Sequence, residues 1–365
     1  MLLLRRIGAV SAIGAVIVIG ACGPSSAPGS TARPPATSTV ASASRAAVTS
    51  VGLTAEIRDL VAGFDGSAGI YIARPGQPEP LYAANPDKQF IAASIYKLAV
   101  LLRVEGLVER GALSYDDTIT IEEADVTVDG SNEPAGTVLT VDDALEEMIA
   151  YSDNGSALAF VRLYGAAETN AALAAAGIKG FRIAENSDED HLVTARSVGT
   201  YFDLLATRRL ISAAASDRML VRLERQQIND RLPRDLPSGV AVAHKTGDLI
   251  GFIHDAGVIQ APDGLRIAVV LTSDGTEAAA KDLIARIGSV VYAADLPAVA
   301  AIGSGALPAA AALPLPVATL GSAAAIAVAV VVLAGLVLLR RSARRRARRA
   351  TGPMTVWSPD RRRRR

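Results

Sequence analysis

Ser94, Ile95, Tyr96 and Lys97 form a Ser-x-x-Lys at the head of an apolar stretch that continues through Leu98, Val100, Leu101 and Leu102. Positions i and i+3 share one face of a helix, so this hydroxyl and this amine can meet at its first turn. A serine is a weak nucleophile at its own pKa; a neighbouring amine that can stand neutral supplies the base, and the N–H groups of a helix N-terminus help to hold an oxyanion. Two further groups stand out. Ser152-Asp153-Asn154 falls between two stretches of helical spacing, and Lys245-Thr246-Gly247 closes an apolar run. Taken singly, each has a plainer reading: a capping serine with a solvated lysine, an Asp or Asn cap between helices, and a strand end.

The surrounding pattern says which elements must bring these groups together. Residues 68–73 and 80–83 read as a strand pair joined through Pro75-Gly76, and 240–246, 253–260 and 265–272 as three more strands, the last two linked by Pro262-Asp263-Gly264. Helical spacing runs over 94–110, 141–150, 155–164, 195–207 and 216–224, and 281–292 reads as a closing helix. Strands at both ends with helices between predict one sheet whose first and last strands meet, plus an inserted helical lobe. A cleft belongs at such a junction. No internal repeat is visible.

Ser-x-x-Lys, Ser-Asp-Asn and Lys-Thr-Gly, in this order and on a helix, an inter-helix loop and a strand, resemble the motif set of the class A β-lactamases and penicillin-binding serine hydrolases. Thr140-Val141-Asp142-Asp143-Ala144-Leu145 resembles the helix that precedes Ser-Asp-Asn in class A enzymes, and the resemblance covers most of residues 55–292. It implies an α/β (α+β) fold, an antiparallel sheet flanked by helices plus an inserted all-helical lobe. It also implies chemistry without metal or cofactor, on a β-lactam or a peptidoglycan-peptide-like amide. Ser94 would attack the carbonyl, Lys97 take its proton, and Ser152 relay a proton to the leaving nitrogen. Asn154 would bind the side-chain amide, Lys245 and Thr246 the carboxylate, and the N–H groups of Ser94 and Asp248 the oxyanion. Close approach of Lys97 and Lys245 should disfavour each other's charge.

Two departures stand beside the resemblance. Class A enzymes activate the deacylating water with a glutamate in a Glu-x-x-Leu-Asn setting, which is missing here, and the stretch from Asn154 to Thr194 is short for it. Glu185 is the first candidate for the role, ahead of Asp188, Glu189 and Asp190; an acidic surface loop is the other reading. His254 stands where class A enzymes often carry a substrate-binding arginine. It is expected either to contact the substrate carboxylate when protonated or to be a histidine satisfied within its strand. A class A hydrolase is thus the first expectation. A D,D-peptidase-type enzyme and a penicillin-binding sensor or structural module with little turnover are the alternatives.

The ends of the chain read differently from its middle. Residues 1–22 carry Arg5-Arg6, an apolar run and small residues before Cys22, the only cysteine, and resemble a lipoprotein signal with Cys22 lipidated; an uncleaved anchor is the alternative. Residues 23–50 and 298–316 are expected to be flexible linkers around a 51–297 hydrolase domain. Residues 317–339 are uncharged and long enough to span a bilayer, and the arginine-rich tail at 340–365 places its far side in the cytoplasm. The catalytic domain is then extracytoplasmic. Formal charge sums to zero over the chain, yet 51–297 holds 21 basic and 36 acidic residues, a net of −15. Such a domain argues against nucleic acid as a partner and leaves the tail for anionic membrane lipid.

Overall fold

A computed structural model describes residues 50–296, apart from 127–129 and 187. Its frame is a five-stranded antiparallel sheet in the order β2-β1-β9-β8-β7, built from β1 (Ser67–Ala73), β2 (Tyr82–Ala84), β7 (Val242–Leu249), β8 (Phe252–Ala261) and β9 (Gly264–Ser273). The first strand pairs with the last, Ile70 opposite Val270, as the sequence pattern requires.

Period-2 alternation explains why this sheet is covered on both faces. Ile70, Ile72, Ala268 and Val270 point to one side, where they pack with Leu53 and Ile57 of α1 (Ser50–Ala62) and Leu283, Ile284, Ile287 and Val291 of α8 (Glu277–Ala293). Tyr71, Ala73, Ile267, Val269 and Leu271 point to the other, into a larger core shared with the helices that follow β2. Each such Leu or Ile, fully buried, contributes about 1.5–3 kcal/mol.

The segment between β2 and β7 holds α2 (Lys97–Glu109), α3 (Val141–Ala150), α4 (Asn154–Tyr164), α5 (Ala166–Ala175), α6 (Ala195–Ala206) and α7 (Ala213–Glu224). It is not all-helical, contrary to expectation. β3 (Gln89–Ile91) pairs with β6 (Leu192–Thr194), and β4 (Thr118–Thr120) with β5 (Val138–Thr140). These strands have three residues each, too short to show alternation. The Thr140 hydroxyl caps α3 by accepting from Asp143 N–H, and the acids Asp142 and Asp143 in the first turn suit the positive end of the helix.

Among the described residues no helix is long and apolar enough to cross a membrane. The signal, Cys22, the linkers at 23–50 and 298–316 and the expected span at 317–339 lie outside the described residues, except that residue 50 begins α1.

Candidate active site

The turn that carries Ser94 begins as a 3-10 turn, Ala93–Tyr96, that runs straight into α2. Ala93 has φ 43°, in the left-handed region disfavoured for a residue with a Cβ, and Ser94 follows it, half-buried. Lys97 is fully buried, and its Nζ donates to Ser94 Oγ at 3.1 Å. The same amine reaches Ser152 O at 2.6 Å, Ser152 Oγ at 3.2 Å and Asn154 Oδ1 at 2.6 Å.

Ser152, φ 58°, is a second left-handed residue, set between α3 and α4. Asp153 caps α4 by accepting from Ser156 N–H at 2.6 Å, so the plainer capping reading of this triplet holds together with its place in the site. The buried Asp153 carboxylate also accepts from Asn132 N–H, which ties down the opposite loop. Strain and buried satisfaction of this kind are characteristic of functional turns.

From the sheet, β7 contributes Lys245 and Thr246, which lie inside the strand rather than at its end. Lys245 Nζ donates to Ser152 Oγ at 2.9 Å and to Thr246 O at 3.0 Å. One serine hydroxyl therefore joins the two lysines. Thr246 Oγ1 is buried and has no protein hydrogen-bond partner among the described residues.

The electrostatics separate the two amines. Burial first, and Lys245 second, push Lys97 well below the ordinary lysine range. Lys245 is lowered by burial to about 7, with Asp255 and Asp248 holding it up against Arg231. Lys97 is thus the better base and Lys245 the better cation.

His254 requires a correction. It is buried on β8, its Nδ1 accepts Thr272 N–H at 3.1 Å, and its Nε2 lies 2.8 Å from Ile91 O, to which it donates. Burial lowers it to about 4. A neutral ring with both nitrogens engaged by backbone has nothing to offer a carboxylate, so it is the strand-satisfied histidine. Glu185 is exposed and accepts from Asn170 Nδ2 at 3.0 Å; among the described residues none of its hydrogen bonds reaches Ser94, Lys97 or Ser152.

The structure adds groups that sequence reasoning passed over. Arg231, 1 % exposed, donates through Nη1 to His254 O at 3.0 Å and through Nη2 to the Asp248 carboxylate, placing a guanidinium behind the Lys-Thr-Gly strand. His191 stacks on Tyr96 with ring centroids 4.1 Å apart, and its carbonyl accepts Ala92 N–H at 2.8 Å. Both sit in loops without periodicity. The sole signal for either was a charged or aromatic residue in an otherwise polar loop.

The profile of the beta-lactamase enzyme family matches residues 52–294. The chain belongs to that family. Among curated proteins it is similar to the extended-spectrum beta-lactamase PER-1 of Pseudomonas aeruginosa, 24% identical over 276 residues, covering 68% of this chain and 89% of that protein. Among solved structures, a beta-lactamase from Sphaerobacter thermophilus superposes with a TM-score of 0.61 at 26% identity, covering 67% of this chain and 95% of that one. PBP-A superposes equally well, TM-score 0.61 at 24% identity, over 66% of this chain and 94% of that one. This family member is a serine hydrolase of the class A β-lactamase-like superfamily.

Proposed function

We propose that this β-lactamase family member forms an acyl-enzyme at Ser94 with β-lactams or related cell-wall amides, and releases it slowly. What carries the reading is the Lys97 amine, fully buried, disfavoured as a cation and 3.1 Å from Ser94 Oγ. Neutral Lys97 takes the proton as Ser94 attacks the carbonyl. The tetrahedral oxyanion is held by the N–H groups of Ser94 and Asp248. Ser152 Oγ, bonded to both lysines, passes a proton to the leaving nitrogen. Lys245 and the Thr246 hydroxyl take the substrate carboxylate, with Arg231 rather than His254 as the cation behind them. Asn154 takes the side-chain amide.

Deacylation needs a base within reach of a water, directly or through one intermediary. Glu185, turned to Asn170, offers no such path. A time course by mass spectrometry with penicillin tests the whole reading: one adduct on Ser94, formed in an initial burst and lost slowly, with none in Ser94→Ala. Rapid turnover that collapses to a trapped adduct in Glu185→Gln would restore Glu185 as the deacylating base and refute slow release. The slow-release reading also favours a D,D-peptidase-like or penicillin-sensing role over resistance.

The export signal, the apolar run at 317–339 and the basic tail support an extracytoplasmic domain tethered to the membrane. Protease added to intact cells should remove the domain and spare an epitope placed after Leu339; the opposite pattern reverses the topology.

A further inference from the structure

A groove of about 680 Å³ runs between α2 and α5 and ends at the turn from α6 to α7; none of the residues that line it belongs to the Ser94 site. Its size is that of a small-molecule site. The floor is apolar, with Leu102 and Gly106 from α2 and Ala172 and Ala176 from α5. Small residues keep it open: a Cβ on Gly106 would meet only the side-chain atoms Arg110 Nη1 at 3.6 Å and Ile211 Cδ1 at 4.0 Å, both ordinary contacts. Ile211 closes the far end with φ 65°, a left-handed conformation costly for a β-branched residue, and remains 39 % exposed there.

Around this floor stand Arg103, Arg110 and Arg209, in a domain that otherwise has an excess of acidic residues. Arg209 is paired with Asp203 at 3.1 Å. Arg103 and Arg110 make no ion pair among the described residues. Each gives one hydrogen bond to a backbone carbonyl, Arg103 to Tyr164 O at 3.2 Å and Arg110 to Gly106 O at 2.6 Å, which leaves most of their N–H donors unused. The two lie two turns apart on one face of α2, and burial, followed by the charge of Arg110, holds Arg103 below the usual arginine range. Of the acids at the rim, Glu109 accepts from Arg218 Nη2 at 2.7 Å, and Glu168 lies against Gly165 at the start of α5. An anion between Arg103 and Arg110 would relieve their repulsion. The chain's own ends are poor occupants, because residues 1–49 and 297–365 hold a single acidic side chain, Asp360, among many arginines.

We propose that this groove binds a single-chain amphiphile, an unbranched alkyl carboxylate, with its carboxylate between Arg103 and Arg110 and its chain over Gly106 and the alanines of α5 toward Ile211. Planar guanidinium groups match a carboxylate through paired N–H···O bonds, and the alkyl chain leaves water for the apolar floor. The site is separate from acyl transfer at Ser94 and stands whether or not that reaction occurs.

A decanoate carrying a diazirine on its chain tests this on the full chain in a non-ionic detergent, with the photolabelled residues read by mass spectrometry. Labelling should fall on α2 and α5 around Gly106 and Ala172. It should drop about tenfold with the matching decanol derivative, which has the chain without the charge, and about tenfold in the double variant Arg103→Gln, Arg110→Gln, as the loss of charged hydrogen bonds implies. Gly106→Leu puts a side chain into the groove and should abolish this labelling without lowering Tm, since leucine is a better helix former than glycine. If Gly106→Leu fails to fold, the double arginine variant, changed at the rim of the groove, decides alone. Labelling of the groove by the alcohol as strongly as by the acid would overturn the proposal. So would labelling confined to the Ser94 cleft or to residues 317–339, which places the amphiphile elsewhere, and so would cross-links between two copies of the chain through α5, which make the groove a contact between copies.

Discussion

At the scale of single residues, the site runs on the difference between two buried amines. Lys97 and Lys245 share the Ser152 hydroxyl, and carboxylates favour the charge of each, Asp153 and Asp248 for Lys97 and Asp255 and Asp248 for Lys245, but Lys97 is pushed down by burial and by Lys245 as well. Pairs of titratable groups pushed apart in this way define base and cation. If Lys245 holds the substrate carboxylate as proposed, that grip weakens as pH rises through about 7, where Lys245 gives up its proton. We expect kcat/KM for penicillin to decline above that pH, and the decline to vanish for a β-lactam ester that lacks the free carboxylate; an identical profile for the two substrates would exclude Lys245 from this role. Lys97→Ala should slow acylation about 100-fold or more, the usual worth of a positioned base. Burst kinetics read it directly, and a rate within tenfold of the parent assigns the proton elsewhere. Ser94, Lys97, Ser152 and Lys245 were legible in the sequence because the chemistry imposes local spacing and local context. Arg231 was not, because what matters about it is burial and a partner 23 residues away.

Elements hold those residues in register, and the tightest constraint lies between β7 and β8. A Cβ placed on Gly257 would come within 2.5 Å of Ala243 O and of His244 Cβ. Backbone stands in the way there, so β7 would have to move. Gly257→Ala should cost about 1–3 kcal/mol, as overpacking typically does. Since Lys245 follows His244, KM for penicillin should rise as well. Urea unfolding together with KM checks both, and a variant of native stability and native KM would show that the strands have room. Elements with clear periodicity were readable beforehand: α3 starts and stops where its apolar spacing does, and the three C-terminal strands differ from expectation by a few residues at their ends. α5 was missed because Ala166–Ala175 is alanine-rich and has no contrasting polar face. β3 to β6 were missed because three residues cannot display a period.

The whole molecule carries a pH sensitivity that has nothing to do with catalysis. His191 and His254 are both held near 4 by burial, against the ordinary histidine value of about 6.5. In that window the unfolded chain binds protons that the folded chain refuses, so stability must fall as pH drops from about 6.5 toward 4. For His254, wholly buried with both nitrogens engaged, the loss between pH 7 and pH 5 comes to about 2 kcal/mol. His191 adds to it in the same direction, less strongly because its ring is partly exposed. Substituting His254 by glutamine removes the titrating ring while keeping a side chain able to donate and accept. The variant should be less stable than the parent at pH 7, because two buried hydrogen bonds are remade imperfectly, but its loss of stability between pH 7 and pH 5 should be smaller by about 2 kcal/mol. Denaturant melts of both proteins at the two pH values give that difference of differences directly, and equal losses would mean that His254 takes up its proton in the folded state as readily as in the unfolded chain.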